Sequence, residues 1–253
     1  GCGKQVIRLL TQIREKYGDL KQGSGMGNEE KFSALMNSMV LVDAENYYKV
    51  MMSSGPESWN VRDDHMADTL DALMKFHGSD AKCVVWAHNT HIGDARYTDM
   101  KDVGERNLGQ IVRERHSKEG VFLVGFGTRE GTVIAGDAWD SPWETMEVPT
   151  ATEKSWESLF MQADGENIPN KLLVFPKVRK EERKVFEEVR GHRAIGVVYY
   201  PAHDRFGHWV PTALGKRYDA FIYLDKTRAL HPLPAKADLS LQPPQTYPWG
   251  ILM

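Results

Sequence analysis

The chain has 253 residues, 41% of them hydrophobic and 26% charged, with a formal net charge of -3. That is ordinary globular composition, enough for one large domain or two small ones. It excludes the basic footprint of a nucleic-acid binder and a polybasic membrane patch, and no apolar run approaches the roughly 20 residues of a membrane span.

Only two cysteines occur, Cys2 and Cys83. A disulfide framework is not expected, and a reducing cytoplasm fits. The chain opens without Met, directly in an amphipathic pattern rather than a secretory leader, so we expect sequence in front of it.

Val6, Ile7, Leu9, Leu10, Ile13 and Tyr17 recur at helical spacing over residues 4 to 17. Gly18, Gly23, Gly25 and Gly27 then make a connection. A long helix follows from Glu29 to Ser53, with Met36, Met39 and Met51 as core filler. Ser54-Gly55-Pro56 ends it, Asn60 caps the next helix, and Gly78 stops that helix after His77. This stretch reads as a helical subdomain over 18–78. Acidic residues in a first helical turn suit the helix dipole, which gives Asp63 and Asp64 a structural reason; a cation there does not, which singles out Arg62 beside His65.

Cys83-Val84-Val85-Trp86 reads as a short buried strand. It runs into Ala87-His88-Asn89-Thr90-His91-Ile92-Gly93-Asp94, which sets two histidines, an asparagine and an aspartate at the end of the apolar run. Strand ends opening on a crevice are where α/β proteins build sites, and histidine is the side chain suited to proton transfer near neutral pH.

Beyond it, Gly104 to His116 reads as a helix, and Val121–Gly127 and Thr132–Ala135 as two strands joined by a hairpin at 128–131. Trp139 and Trp143 sit on a loop that suits an apolar ligand pocket. Thr152 caps a helix through Met161, Leu172 to Phe175 is a short strand, and Val178 to Val189 is a solvated charged helix. Ile195 to Tyr200 reads as a buried strand before a second histidine-bearing loop with His203 and His208, and Tyr218 to Leu224 is the last strand; the tail from Pro232 is irregular. Alternating strands and helices give an α/β fold with a mixed, largely parallel sheet flanked by helices, and a helical subdomain near the N-terminus.

No G-x-S-x-G elbow, dinucleotide fingerprint or Walker loop is present, so no nucleotide or other cofactor is expected. Two chemistries stay open for the histidines. One is a three-ligand metal site from His88 and His91 with Asp94 or His208. The other is metal-free hydrolysis of an ester or lactone, with one histidine activating water and another group stabilising the oxyanion.

Trp86-Ala87-His88-Asn89-Thr90-His91-Ile92-Gly93-Asp94-Ala95-Arg96 resembles the erythromycin esterase family. So do Ser58-Trp59-Asn60-Val61-Arg62-Asp63-Asp64-His65, Asn107-Leu108-Gly109-Gln110, Phe206-Gly207-His208-Trp209, and the run from Tyr218-Asp219-Ala220-Phe221-Ile222 to Thr227-Arg228-Ala229-Leu230. The resemblance implies a cytoplasmic, metal-independent hydrolase of the kind that opens macrolide lactones in antibiotic resistance. It puts His88 and His91 on the catalytic pair, and Arg62, Asp63, His65, Asn89 and His208 on the substrate lining. It also implies a small ester or lactone as ligand, with no nucleic-acid or membrane partner. The family carries a Gly-Glu-x-x-His-Gly motif near its N-terminus, with the His as general base. Here Gly104-Glu105 is followed by Arg106-Asn107-Leu108. This chain therefore resembles the C-terminal part of such an enzyme. The expectations are little turnover from the chain alone, completion by an N-terminal segment or self-association through an unpaired edge beside Val84–Trp86, and, as alternatives, a metal-dependent hydrolase or a ligand-binding remnant.

Overall fold

The computed structural model describes residues 3–17, 27–51, 55–163 and 168–231. Cys2, the glycines at 18, 23 and 25, the expected helix stop at Ser54 and the tail from Pro232 lie outside these residues. The chain divides into a helical unit, ending at Val85, and an α/β unit from Trp86 to Leu233.

The helical unit contains α1 (Gly3–Tyr17), α2 (Asn28–Val50) and α3 (Glu57–His77). Leu10 and Ile13 of α1 pack against Leu35, Met36 and Met39 of α2, with Ala72 of α3 against the same cluster. The methionines at 36 and 39 fill this core as expected, whereas Met51 is exposed. Phe32 stacks on Phe76 at 4.1 Å, tying α2 to α3. The start of α3 differs from expectation. Pro56, not Asn60, precedes its first residue, because proline's fixed φ is already helical and its missing N–H costs nothing there. Gly78 ends α3 at φ 95°, as expected.

The α/β unit runs α4 (Asn89–Ile92), α5 (Leu108–Arg115), β1 (Val124–Ala135), β2 (Glu144–Val148), α6 (Trp156–Gln162), β3 (Lys171–Val174), α7 (Lys180–Arg183), β4 (Val189–Arg193), α8 (Asp204–Gly207), β5 (Trp209–Ala213), α9 (Leu214–Arg217) and β6 (Ala220–Thr227). Its main sheet has the order β2-β1-β6-β3. The parallel β1–β6 pair carries the longest register, from Val124 opposite Ala220 to Gly131 opposite Thr227. β2 and β3 flank it antiparallel, so the sheet is mixed. A second, two-stranded antiparallel sheet joins β4 to β5. Under the main sheet lies an aromatic core in which Phe160 packs on Phe221 (5.3 Å) and Tyr223 (5.6 Å), with Trp156, Phe175 and Phe186 around it.

Several expected elements are corrected. β1 is one continuous strand, not a hairpin: Gly131 adopts φ 132° without turning the chain, and a Cβ there would lie 2.1 Å from the Thr227 carbonyl oxygen. Residues 81–88 form no strand, Cys83 is exposed, and Val84 and Trp86 are 91% and 86% exposed. The reason is local. On the β1 side, the Phe126 N–H and C=O bond the side chain of Asn89 rather than another strand, and the Trp86 ring rests 5.8 Å from that of Phe126. Ile195–Tyr200 is irregular, held by Gly136 N–H to the Val197 carbonyl (2.8 Å) and Tyr199 N–H to the Gly136 carbonyl (3.0 Å). The charged run from Val178 breaks into α7 and a short 3-10 turn before β4, and Ser155 rather than Thr152 caps α6. Among the described residues no helix is long and apolar enough to cross a membrane.

Candidate active site

The His-bearing stretch forms a single turn, α4, whose N-cap is His88. A four-residue helix has no propagation to sustain it, so it is held by long-range bonds. Asn107, fully buried at the N-cap of α5, donates to the carbonyls of Thr90 (2.6 Å) and Gly93, and accepts from the N–H groups of Ala95 (3.2 Å) and Gln110 (3.0 Å). Arg217, also buried, donates to the Asn89 carbonyl (3.1 Å) and to Thr212 Oγ1 (2.9 Å). Gly109 lets α5 come against the turn: a Cβ there would lie 2.3 Å from the Ile92 carbonyl oxygen. Asp94, with no exposed surface, accepts from Arg96 (2.7 and 2.9 Å) and Arg113 (3.1 Å). Burial by itself raises the Asp94 carboxyl, but these hydrogen bonds outweigh it and hold its pKa below the ordinary value.

His88 has an exposed edge, yet both ring nitrogens are engaged. Thr90 N–H points at Nδ1 (3.3 Å), and the Thr90 hydroxyl lies 2.8 Å from it. Nε2 lies 2.9 Å from the Ile195 carbonyl, which can only accept. The proton therefore sits on Nε2. Partial desolvation of the ring holds its pKa below the ordinary histidine value. The Ile195 bond opposes this, and the nearby His91, Arg217 and His192 reinforce it. His88 is consequently neutral at pH 7.

Asn89 is half-buried and bridges β1 to the interior. Its Oδ1 accepts from Phe126 N–H (3.1 Å), and its Nδ2 donates to the Phe126 carbonyl (2.6 Å) while lying 3.3 Å from His192 Nε2. Behind it His192 Nδ1 meets Glu157 Oε1 at 2.7 Å, both residues fully buried.

Of the sequence candidates, His88, Asn89 and His91 share the α4 turn. His208 lies in the same unit. Its carbonyl accepts from Ala194 N–H (2.8 Å), one residue before the carbonyl that binds His88, and its ring lies 4.7 Å from that of Tyr199. Arg62, Asp63 and His65 belong to α3 of the helical unit. There Arg62 lies over the Trp59 ring at 5.0 Å, Asp63 is fully buried, and His65 Nδ1 bonds Asp43 at 2.8 Å. Among the described residues no group of three or more His, Cys, Asp or Glu side chains is placed to hold a metal ion. His192, Glu157, Arg217 and the anchoring role of Asn107 escaped the sequence reading. His192 sits in Arg-Gly-His-Arg, at the end of a run that looked solvated, and Glu157 looked like an ordinary first-turn acid.

Solved structures share this fold. The chain matches a succinoglycan biosynthesis protein at 20% identity and a TM-score of 0.65, over 89% of this chain and 51% of that one. It matches a Bacillus cereus protein at 16% identity and 0.69, over 88% and 52%. It matches a mutant of the erythromycin esterase EreC in its open conformation at 18% identity and 0.55, over 87% and 51%. The chain thus spans about half the length of the solved structures it matches. The family model described as Erythromycin esterase matches residues 1–227, nearly the whole of the sequence in which the His88–His91 turn lies, and the chain belongs to the erythromycin esterase family.

Proposed function

We propose that the protein is a hydrolase that adds water to the carboxyl carbon of an ester or macrolide lactone by histidine acid–base chemistry. Family membership supports a hydrolase of this kind. The observation that carries the reading is the α4 turn, a short histidine-bearing segment held by the buried polar side chains of Asn107, Arg217 and His192. His88 is held through both ring nitrogens by Thr90 and Ile195, and this reading gives proton transfer to the other histidine of the pair, His91, on the same turn. In this mechanism His91 takes a proton from water as the water oxygen bonds to the acyl carbon, and the collapsing tetrahedral intermediate regains that proton on its departing alkoxide. Arg217, buried against the turn, supplies positive potential for the developing oxyanion. The exposed rings of Trp139 and Trp143, 79% and 58% accessible, suit a bulky apolar substrate.

The test uses the protein purified at its natural length. Incubation with a macrolide and a panel of aryl esters, in the presence of a chelator, should give products heavier by one water. If no member of the panel gains water while the protein binds it, the ligand-binding reading replaces this one. Loss of turnover on chelation, restored by one divalent metal, would transfer the role to metal chemistry.

A further inference from the structure

We propose that the buried Glu157–His192 pair is a positioning device for the His88–His91 turn, acting through the side-chain amide of Asn89. This rests on the turn being the active site, but the device is read out by ring protonation and exchange, so the two can fail separately.

The hydrogen-bond roles follow from what each neighbour can do. Phe126 N–H only donates, so the Asn89 atom facing it at 3.1 Å is the oxygen. The Asn89 nitrogen then donates one hydrogen to the Phe126 carbonyl and turns its other toward His192 Nε2. His192 Nε2 must accept, and the ring proton must lie on Nδ1, where it donates to Glu157 Oε1. That oxygen is independently identified as an acceptor by the Arg193 N–H, 3.0 Å away. The series Glu157, His192, Asn89, Phe126 is therefore directional from end to end. The rings of Tyr218 (6.0 Å) and Phe221 (5.3 Å) wall His192 edge-on and keep it from rotating.

The pair meets the turn at the Asn89 amide. What it does is accept the remaining N–H of the Asn89 amide, whose orientation Phe126 sets, so that the amide is held on both sides. Asn89 in turn locks the first residue of α4 against Phe126 of β1. Without the Glu157 acceptor, His192 would exchange its proton between nitrogens. An Nε2–H would then confront the Asn89 N–H, pushing the amide off Phe126 and loosening the turn.

The test is long-range ¹H–¹⁵N spectroscopy of histidine-labelled protein, combined with amide exchange over residues 89–93 and over β6. Wild type should show His192 neutral with its proton on Nδ1. Glu157→Gln offers the same acceptor oxygen and should keep that tautomer. Glu157→Ala should lose it and speed exchange at 89–93 by about tenfold or more, with Phe221–Leu224 unchanged. Should Glu157→Ala fail to fold, Asn89→Ala serves instead: it should leave the His192 tautomer intact while loosening 89–93 alone. An Nε2–H or doubly protonated His192 in wild type would overturn the proposal. So would equal loosening of β6 and the turn in whichever of these variants folds, which marks a merely structural role.

Discussion

His88 donates its Nε2–H to the Ile195 carbonyl at 2.9 Å, a bond across 107 residues of sequence. It joins the histidine turn to the irregular segment that follows β4. It also fixes the His88 proton on Nε2 and leaves the ring's lone pair on Nδ1, where the Thr90 N–H and hydroxyl already lie.

That relationship has a pH signature. The folded-state pKa of His88 lies below its ordinary 6.5, so the unfolded chain binds the proton more readily. The resulting stability is fully present above the unfolded value and is lost as pH falls through the folded one. The fall in melting temperature from about pH 7.5 to about pH 5.5 should be smaller in His88→Gln than in wild type. Parallel slopes would show that His88 titrates as it does in the unfolded chain.

Asp94 works at lower pH. Its pKa is held below 3.8 by Arg96 and Arg113, so its contribution is present above 3.8 and disappears as pH falls through the depressed value. Asp94→Asn keeps the shape and removes the charge-assisted bonds. It should cost about 1.5–3 kcal/mol by urea unfolding at pH 7, with the deficit vanishing in acid. A cost that persists at low pH would point to packing instead.

Gly109→Ala introduces a Cβ facing the Ile92 carbonyl oxygen at 2.3 Å. That contact is with backbone and cannot swing aside. Overpacking of this kind costs about 1–3 kcal/mol, and the displaced element is α4. Urea unfolding should show the loss, and exchange at 89–93 should rise with it. A neutral substitution would mean that α5 can retreat from the turn.

Val84 and Trp86 are almost wholly exposed on a segment without ladder bonds. Apolar groups placed so are association sites. Sedimentation of the 253-residue chain should show concentration-dependent self-association that Trp86→Ser weakens. A monomer at every concentration would contradict this.

The mixed fold was legible in the sequence because β6, β3 and the helical N-terminal region carry regular apolar patterns, as in Ala220-Phe221-Ile222-Tyr223. The strand at 83–86 misread for a physical reason: an apolar run records a preference for burial, and a strand also needs a neighbour offering ladder hydrogen bonds, whereas the Phe126 groups of β1 are bonded to the Asn89 side chain. β4 was missed because its buried residues, His192 and Arg193, are polar and satisfied by Glu157 and Asp204. No periodicity rule sees a polar strand whose partners lie 11 and 35 residues away. The His88–Asn89–His91 turn was legible from residue type alone. Its anchors Asn107 and Arg217 were not, since a fully buried Arg reads in sequence as a surface cation.

The most direct measurement is the rate of water addition to a macrolide or responsive ester by the natural-length protein, wild type against His91→Gln, with His88→Gln alongside. The account predicts that His91→Gln loses about 10²–10⁴-fold in kcat, and that His88→Gln loses less, through a displaced turn. Full activity in His91→Gln, or a greater loss in His88→Gln, would contradict the assignment of proton transfer to His91.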